Sequence, residues 1–240
     1  MLALEHISFS VEGENGKKTI LDDVSFKIDS PFTVITGPNG GGKSTIAKLI
    51  AGIYVPDSGR ILLDGKDVTD AGVTERARMG ISYAFQTPVR FKGISVSDLL
   101  KIAAGKELSV SEACAYLSSV GLCARDYLDR EVNNSLSGGE LKRIEIATVL
   151  ARKTPFAVFD EPEAGIDLWS FASLIKVFEN MRESVHGSIV IISHQERILN
   201  IADRIIVISG GKVEREGTKE EILPTLFTDD GACELIKDKL

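Results

Sequence analysis

Gly37-Pro38-Asn39-Gly40-Gly41-Gly42-Lys43-Ser44 joins four glycines to one ammonium and one hydroxyl, directly after the apolar run Phe32–Thr36 and ahead of a helical pattern over 45–51. Glycines let backbone N–H groups converge on phosphate oxygens with no side chain in the way, and a following helix points its positive end at the same charge. In that strand–loop–helix context, Lys43 is expected to bridge the β- and γ-phosphates of a nucleotide and Ser44 to hold Mg2+. Thr45 belongs to the same binding loop. A second apolar run, Phe156-Ala157-Val158-Phe159, leads straight into Asp160 and Glu161. Both acids then emerge at the carboxyl end of a buried strand, where ligands sit in open α/β sheets. Asp160 is expected to act on Mg2+ through water, and Glu161 to orient or deprotonate an attacking water. Two acids after a strand are by themselves more often a solvated turn, but the phosphate loop upstream reverses that balance.

The elements that must carry these groups are legible in the periodicity. Residues 2–11 and 19–28 place apolar side chains at every second position (Ile7, Phe9, Val11, then Val24, Phe26, Ile28), the pattern of half-buried antiparallel strands, with 12–18 as their turn. Residues 32–36, 156–159, 189–192 and 205–208 are short continuous apolar runs, as parallel strands covered on both faces require. Between Gly93 and Asn134 the character is helical, with 96–104 and 111–120 apolar every three or four residues and Gly105 and Gly121 ending them. The expectation is an α/β P-loop NTPase, with core residues 1–86 and 136–240 and a helical lobe, 87–135, inserted between them. Helical turns broken by Pro224 are expected over 219–240.

Composition narrows the rest. The chain of 240 residues, 43% hydrophobic, is long enough to bury a substantial core. No apolar run approaches a membrane span and the first residues lack a signal peptide's basic start, so a cytoplasmic protein is expected. A net charge of −7 without a basic stretch argues against nucleic acid as a partner. Cys114, Cys123 and Cys233 are too few and too far apart for a disulfide framework or a metal site.

Leu136-Ser137-Gly138-Gly139-Glu140 opens a helical pattern about twenty residues before the Asp160 strand. With this pentapeptide in that position the sequence resembles the ATP-binding cassette ATPases over nearly its whole length. The resemblance implies a RecA-like core, an N-terminal antiparallel β-subdomain and an inserted helical lobe. It further implies active-site roles for Gln86, which reports the γ-phosphate and Mg2+ to the lobe, for Asp167, and for His194, which holds the γ-phosphate and the attacking water. Ser137, Gly138 and Gly139 lie remote from their own phosphate loop and are implied to complete the site of a second copy, in a head-to-tail dimer sandwiching two Mg-ATP. Members of the family usually stack adenine on an aromatic residue where this chain has Val11, so weaker stacking is expected here. Within the family, residues 84–89, 160–167 and 193–199, together with Val11, are similar to SufC, the ATPase of the SUF iron–sulfur cluster assembly system. That resemblance implies a soluble scaffold of the SufB and SufD type as partner. The alternative is a nucleotide-binding subunit gripping a membrane permease. Glu163, two residues from Glu161, is expected to help hold the free subunit inactive.

Overall fold

A computed structural model describes residues 1–13, 16–184 and 187–226. The chain divides into two compact units, one of Met1–Gly80 with the residues from Ser188 onward, the other of Ile81–Gly187. The first unit begins with β1 (Leu2–Gly13), β2 (Gly16–Ile28), β3 (Phe32–Thr36), α1 (Lys43–Ala51), β4 (Ser58–Leu63), β5 (Lys66–Asp67) and α2 (Val73–Arg78). The second holds β6 (Ile81–Ala84), α3 (Val96–Ala104), α4 (Val110–Ser119), α5 (Ala124–Tyr127), α6 (Gly138–Arg152), β7 (Phe156–Asp160) and α7 (Leu168–Ser184). The chain then returns to the first with β8 (Ser188–Ile192), α8 (Glu196–Leu199), β9 (Arg204–Ser209), β10 (Lys212–Thr218) and α9 (Lys219–Leu226). The second unit contains the 87–135 segment together with β6, α6, β7 and α7.

In the first unit β2, β1, β4 and β5 form an antiparallel sheet in that order. Glu12 pairs with Lys17 and Gly13 with Gly16, so most of the stretch expected as a turn is strand. Exposed glycines and charged residues look like a loop in sequence, yet the ladder is made by backbone N–H and C=O groups, which they supply as well as apolar residues do. The second sheet of this unit runs β10-β9-β3-β8, with β3 parallel to both β8 and β9. Every residue of β3 and of β8 is buried, as continuous apolar runs covered on both faces predict. In the second unit β6 pairs in parallel with β7, whose five residues are all buried. Phe159 of β7 meets Phe178 of α7 edge to face, with ring centroids 5.2 Å apart.

Helices α3, α4 and α6 each open on a serine in a capping box: Ser95 with Asp98, Ser109 with Glu112, and Ser137 with Glu140. The turns expected to break at Pro224 run through it instead: it is the sixth of the eight residues of α9, and its missing N–H removes one hydrogen bond of the last turn. The expected acidic spot at Asp229 and Asp230, and Cys233, lie outside the described residues. Cys114 and Cys123 are free thiols. Among the described residues, no helix is long and apolar enough to cross a membrane.

Arg76, on α2, is fully buried and holds the far end of α1. Its guanidinium donates to the carbonyls of Leu49 and Ile50 in the last turn of α1, and to those of Thr69 and Ala71. A cation at a helix C-terminus also complements the macrodipole. Burial lowers the pKa of Arg76 from its ordinary value, and Asp67 and Asp70 oppose that shift. Arg76→Met removes the guanidinium bonds to the buried Leu49 and Ile50 carbonyls and to the part-buried Thr69 and Ala71 carbonyls, of which Leu49 alone is shown keeping another donor, Gly52 N–H; a buried carbonyl left without a donor costs about 1–3 kcal/mol. We expect it to cost at least about 3 kcal/mol in urea unfolding monitored by circular dichroism.

Candidate functional site

The phosphate loop belongs to the first unit. The loop leaves β3 at Gly37, whose backbone passes so close to β9 that an added Cβ would sit 2.0 Å from the Ile208 carbonyl oxygen. At Gly42, the residue before α1, φ is +103° and a Cβ would lie 2.5 Å from Leu21. Both positions demand glycine, for close approach and for backbone conformation. Between them, the Gly41 N–H donates to the Pro38 carbonyl at 3.2 Å, which closes the turn. Unlike α3, α4 and α6, helix α1 has no side-chain cap at its N-terminus. Its first-turn N–H groups, on Lys43, Ser44 and Thr45, point out of the helix end where an anion binds. The helix starts two residues earlier than the apolar pattern suggested, so Lys43 and Ser44 ride on its first turn. Lys43 is buried, and its Nζ donates to the carbonyls of Gly37 at 2.9 Å and Pro38 at 2.8 Å. The positive charge is thus held within the loop by the backbone itself. An uncapped helix end, a glycine-lined turn and a buried ammonium are the donor set that a polyphosphate requires.

His194 follows β8 in the same unit, exposed, with Nε2 3.4 Å from the Gln195 amide nitrogen. Val11 is exposed on β1 and pairs with Lys18. The neighbouring Phe9 stacks on Tyr54 with ring centroids 5.1 Å apart, so that ring is already engaged within the protein.

The carboxylates belong to the second unit. Asp160 is the last residue of β7 and is buried; Oδ2 accepts a hydrogen bond from the Tyr83 hydroxyl of β6 at 2.9 Å. Glu161 follows in a left-handed backbone conformation with φ of +46°. A non-glycine residue there costs about 1–3 kcal/mol, and such strain concentrates at functional sites. Its Oε2 accepts from the Gln86 side-chain amide at 2.6 Å, so two residues separated by 75 positions meet. Glu163 is half-buried and Asp167 exposed in the turn that follows, where the Asp167 carbonyl accepts from Phe171 N–H at the start of α7.

Sequence reasoning missed three side chains in this unit: Tyr83, Lys142 and Glu145. Glu145 accepts from the Phe85 N–H at 2.8 Å, while Lys142 donates to the Phe85 carbonyl. The available signal was weak: a polar-tipped aromatic in a buried strand, and two charges amid the apolar positions of a helix.

Ser137, Gly138 and Gly139 form the start of α6. The Ser137 hydroxyl accepts from Glu140 N–H at 3.3 Å, and Glu140 Oε2 accepts from Ser137 N–H at 2.6 Å. Tyr127 donates its hydroxyl to Glu140, and Arg130 lies 3.5 Å away. The Tyr127 hydrogen bond, helped by the Ser137 groups and Arg130, lowers the Glu140 pKa from 4.5 to about 2. The same bond raises the Tyr127 pKa.

Comparison with known proteins gives this arrangement its class. Residues 21–164 match the family described as ABC transporter. An uncharacterized ABC transporter ATP-binding protein of Methanocaldococcus jannaschii is 38% identical, over 91% of this chain and 90% of its own length. A probable ATP-dependent transporter of Pyropia yezoensis is 34% identical, over 85% of this chain and 87% of its own. Among solved structures, a dimeric bacterial ABC transporter cassette superposes with a TM-score of 0.81 at 23% identity, over 91% of this chain and 99% of that one. The chain belongs to the ABC transporter family. It is an ATP-binding cassette ATPase with the family's α/β P-loop fold, and its cofactors are ATP and Mg2+.

The lowered pKa of Glu140 gives the start of α6 a pH signature. A carboxylate whose folded pKa lies below its unfolded value contributes stability above the unfolded value and loses it as pH falls towards the folded one. We therefore expect Glu140→Ala to be less stable than the parent at neutral pH, with the gap in denaturation midpoint narrowing as pH is lowered from about 5 towards about 3.

Proposed function

We propose that this chain is the motor subunit of an ATP-driven machine, which dimerises head to tail around two Mg-ATP and passes the resulting movement to a partner protein. The observation that carries the reading is the hydrogen bond from Gln86 to Glu161. It joins a side chain at the head of the helical segment to the acid that follows the Mg2+-binding position.

ATP supplies a phosphoanhydride bond, and Mg2+ supplies charge that offsets the negative charge of the phosphates. The protein's residues do the remainder. Lys43 exchanges two backbone carbonyls for phosphate oxygens, keeping its charge paired. The N–H groups from Gly40 to Thr45 donate to the same oxygens, an electrostatic term that costs no reorganisation because the loop is preformed. Ser44, Asp160 through water, and Gln86 are the oxygen donors assigned to the metal. Glu161 orients and deprotonates the attacking water, Gln86 holds its carboxylate until the site closes, and His194 fixes the water and γ-phosphate in the closed state. Ser137, Gly138 and Gly139, at the start of α6, donate to the nucleotide of the other copy, and Asp167 lies at the same dimer seam. Val11 takes the place of a stacking aromatic, which favours looser discrimination between adenine and guanine.

Relatives named as transporter subunits favour a membrane permease as the partner. The docking surface we assign lies beside Gln86: a hollow of about 180 Å3 lined by Phe85, Val89, Phe91, Leu99, Ile144 and Glu145. Phe85, Val89 and Phe91 are exposed apolar residues, as a protein-binding face requires. A second reading, a SufB/SufD-type scaffold, is favoured by the resemblance of residues 84–89, 160–167 and 193–199 to SufC and by Val11. Both readings keep the chain in the cytoplasm and leave the chemistry unchanged.

Two experiments test these proposals. Glu161→Gln is expected to bind ATP, accumulate as a dimer in size-exclusion chromatography and lose turnover, while Lys43→Ala loses binding; parental turnover by Glu161→Gln would refute the assigned base. Anaerobic capture of the tagged protein from its own cells, followed by mass spectrometry of soluble and detergent-extracted fractions, identifies the partner. An integral membrane permease supports transport, and a soluble SufB-type scaffold supports cluster assembly in its place.

A further inference from the structure

Helix α6 carries two charged side chains that point inward. Lys142 is fully buried and Glu145 is 13% exposed, and they lie 3.3 Å apart, Nζ to Oε2. Taking both charges out of water is costly, and a buried pair is often matched or exceeded in stability by apolar residues of similar size. Stability therefore gives no sufficient reason for the pair. Its contacts do. Glu145 Oε1 accepts from the Phe85 N–H, and Lys142 Nζ donates to the Phe85 carbonyl and lies 3.5 Å from that of Gln86. One residue's two backbone groups are thus held by opposite charges, immediately after β6 ends at Ala84. Burial raises the Glu145 pKa, opposed by Lys142 and by the Phe85 N–H.

The gripped residue stands between the two side chains that reach the acids. Tyr83 donates to Asp160, and Gln86 donates to Glu161. The Phe85 ring meets Tyr83 edge to face at 4.8 Å. With the Phe85 peptide fixed at both ends, the backbone that carries Gln86 has little freedom to turn its amide away from Glu161.

We propose that Lys142 and Glu145 are positioning residues for ATP hydrolysis: as a buried ion pair they clamp the Phe85 peptide and thereby aim Gln86 at Glu161. The proposal rests on the assignment of Glu161 as the base. A consequence is that the helix whose first turn serves the other copy's nucleotide also sets the geometry of Gln86 and Glu161 in its own chain.

The test is a rate comparison in the full-length protein with and without Gln86. Glu145→Ala and Lys142→Met are each expected to lower kcat about tenfold while changing KM for ATP by less than about twofold. In a Gln86→Ala background the same changes are expected to lower the residual kcat by less than about twofold, because the clamp has nothing left to aim. Equal losses in both backgrounds would make the pair merely structural and overturn the proposal, as would an unchanged kcat in the parent background. Should the single variants fail to fold, the double variant Lys142→Met with Glu145→Gln removes both charges at similar volume and is read in the same two backgrounds. Parental turnover by Glu161→Gln would retire the base assignment alone, since the coupling of positions 142 and 145 to Gln86 is read from proteins that all keep Glu161.

Discussion

The phosphate loop exists because Gly37 can pass the Ile208 carbonyl where no side chain fits. That contact fixes where the chain leaves β3, and β3 lies between β8 and β9 in parallel register. With the exit fixed, the turn through Pro38 and Gly41 and the left-handed Gly42 bring α1 in with its N-terminus uncapped. Lys43 is held meanwhile by the loop's own carbonyls, those of Gly37 and Pro38. Arg76 holds the other end of the same helix, so the element that presents the N–H groups is anchored at both termini. The loop is therefore preformed, and little ordering is left to be done when nucleotide binds.

A second economy governs the other unit. Asp160 and Glu161 are adjacent in sequence but differ in surroundings, one buried under a tyrosine hydroxyl, the other strained and engaged by Gln86. Neighbouring carboxylates take different chemical behaviour only from different surroundings, and β7 provides them by ending between the two. Helix α6 contributes at both levels, with its capped start carrying Ser137 and its buried face holding the Phe85 peptide.

Membership of the ABC transporter family settles the chemistry more firmly than the cargo. A motor of this class works through whatever binds its helical segment, and sites grafted on a shared fold carry the specific function. The exposed Phe85, Val89 and Phe91 lie close in sequence to Gln86, whose amide donates to Glu161.

The sequence by itself determined the phosphate loop, the buried strands, the Asp160–Glu161 pair and the helix that opens at Ser137. Each is a local pattern whose physics, glycine flexibility, two-faced burial or helical periodicity, is complete within a few residues. The boundaries of the β1–β2 hairpin and the continuity of α9 through Pro224 misled local reasoning, because polarity alone does not separate an exposed ribbon from a turn, and a proline in a helix's last turn does not by itself end it. What only the tertiary structure decided were meetings across long separations: Tyr83 with Asp160, Gln86 with Glu161, Arg76 with the end of α1, and Lys142 and Glu145 with Phe85. Such contacts follow from the register of strands and the packing of helices, which no spacing along the chain encodes.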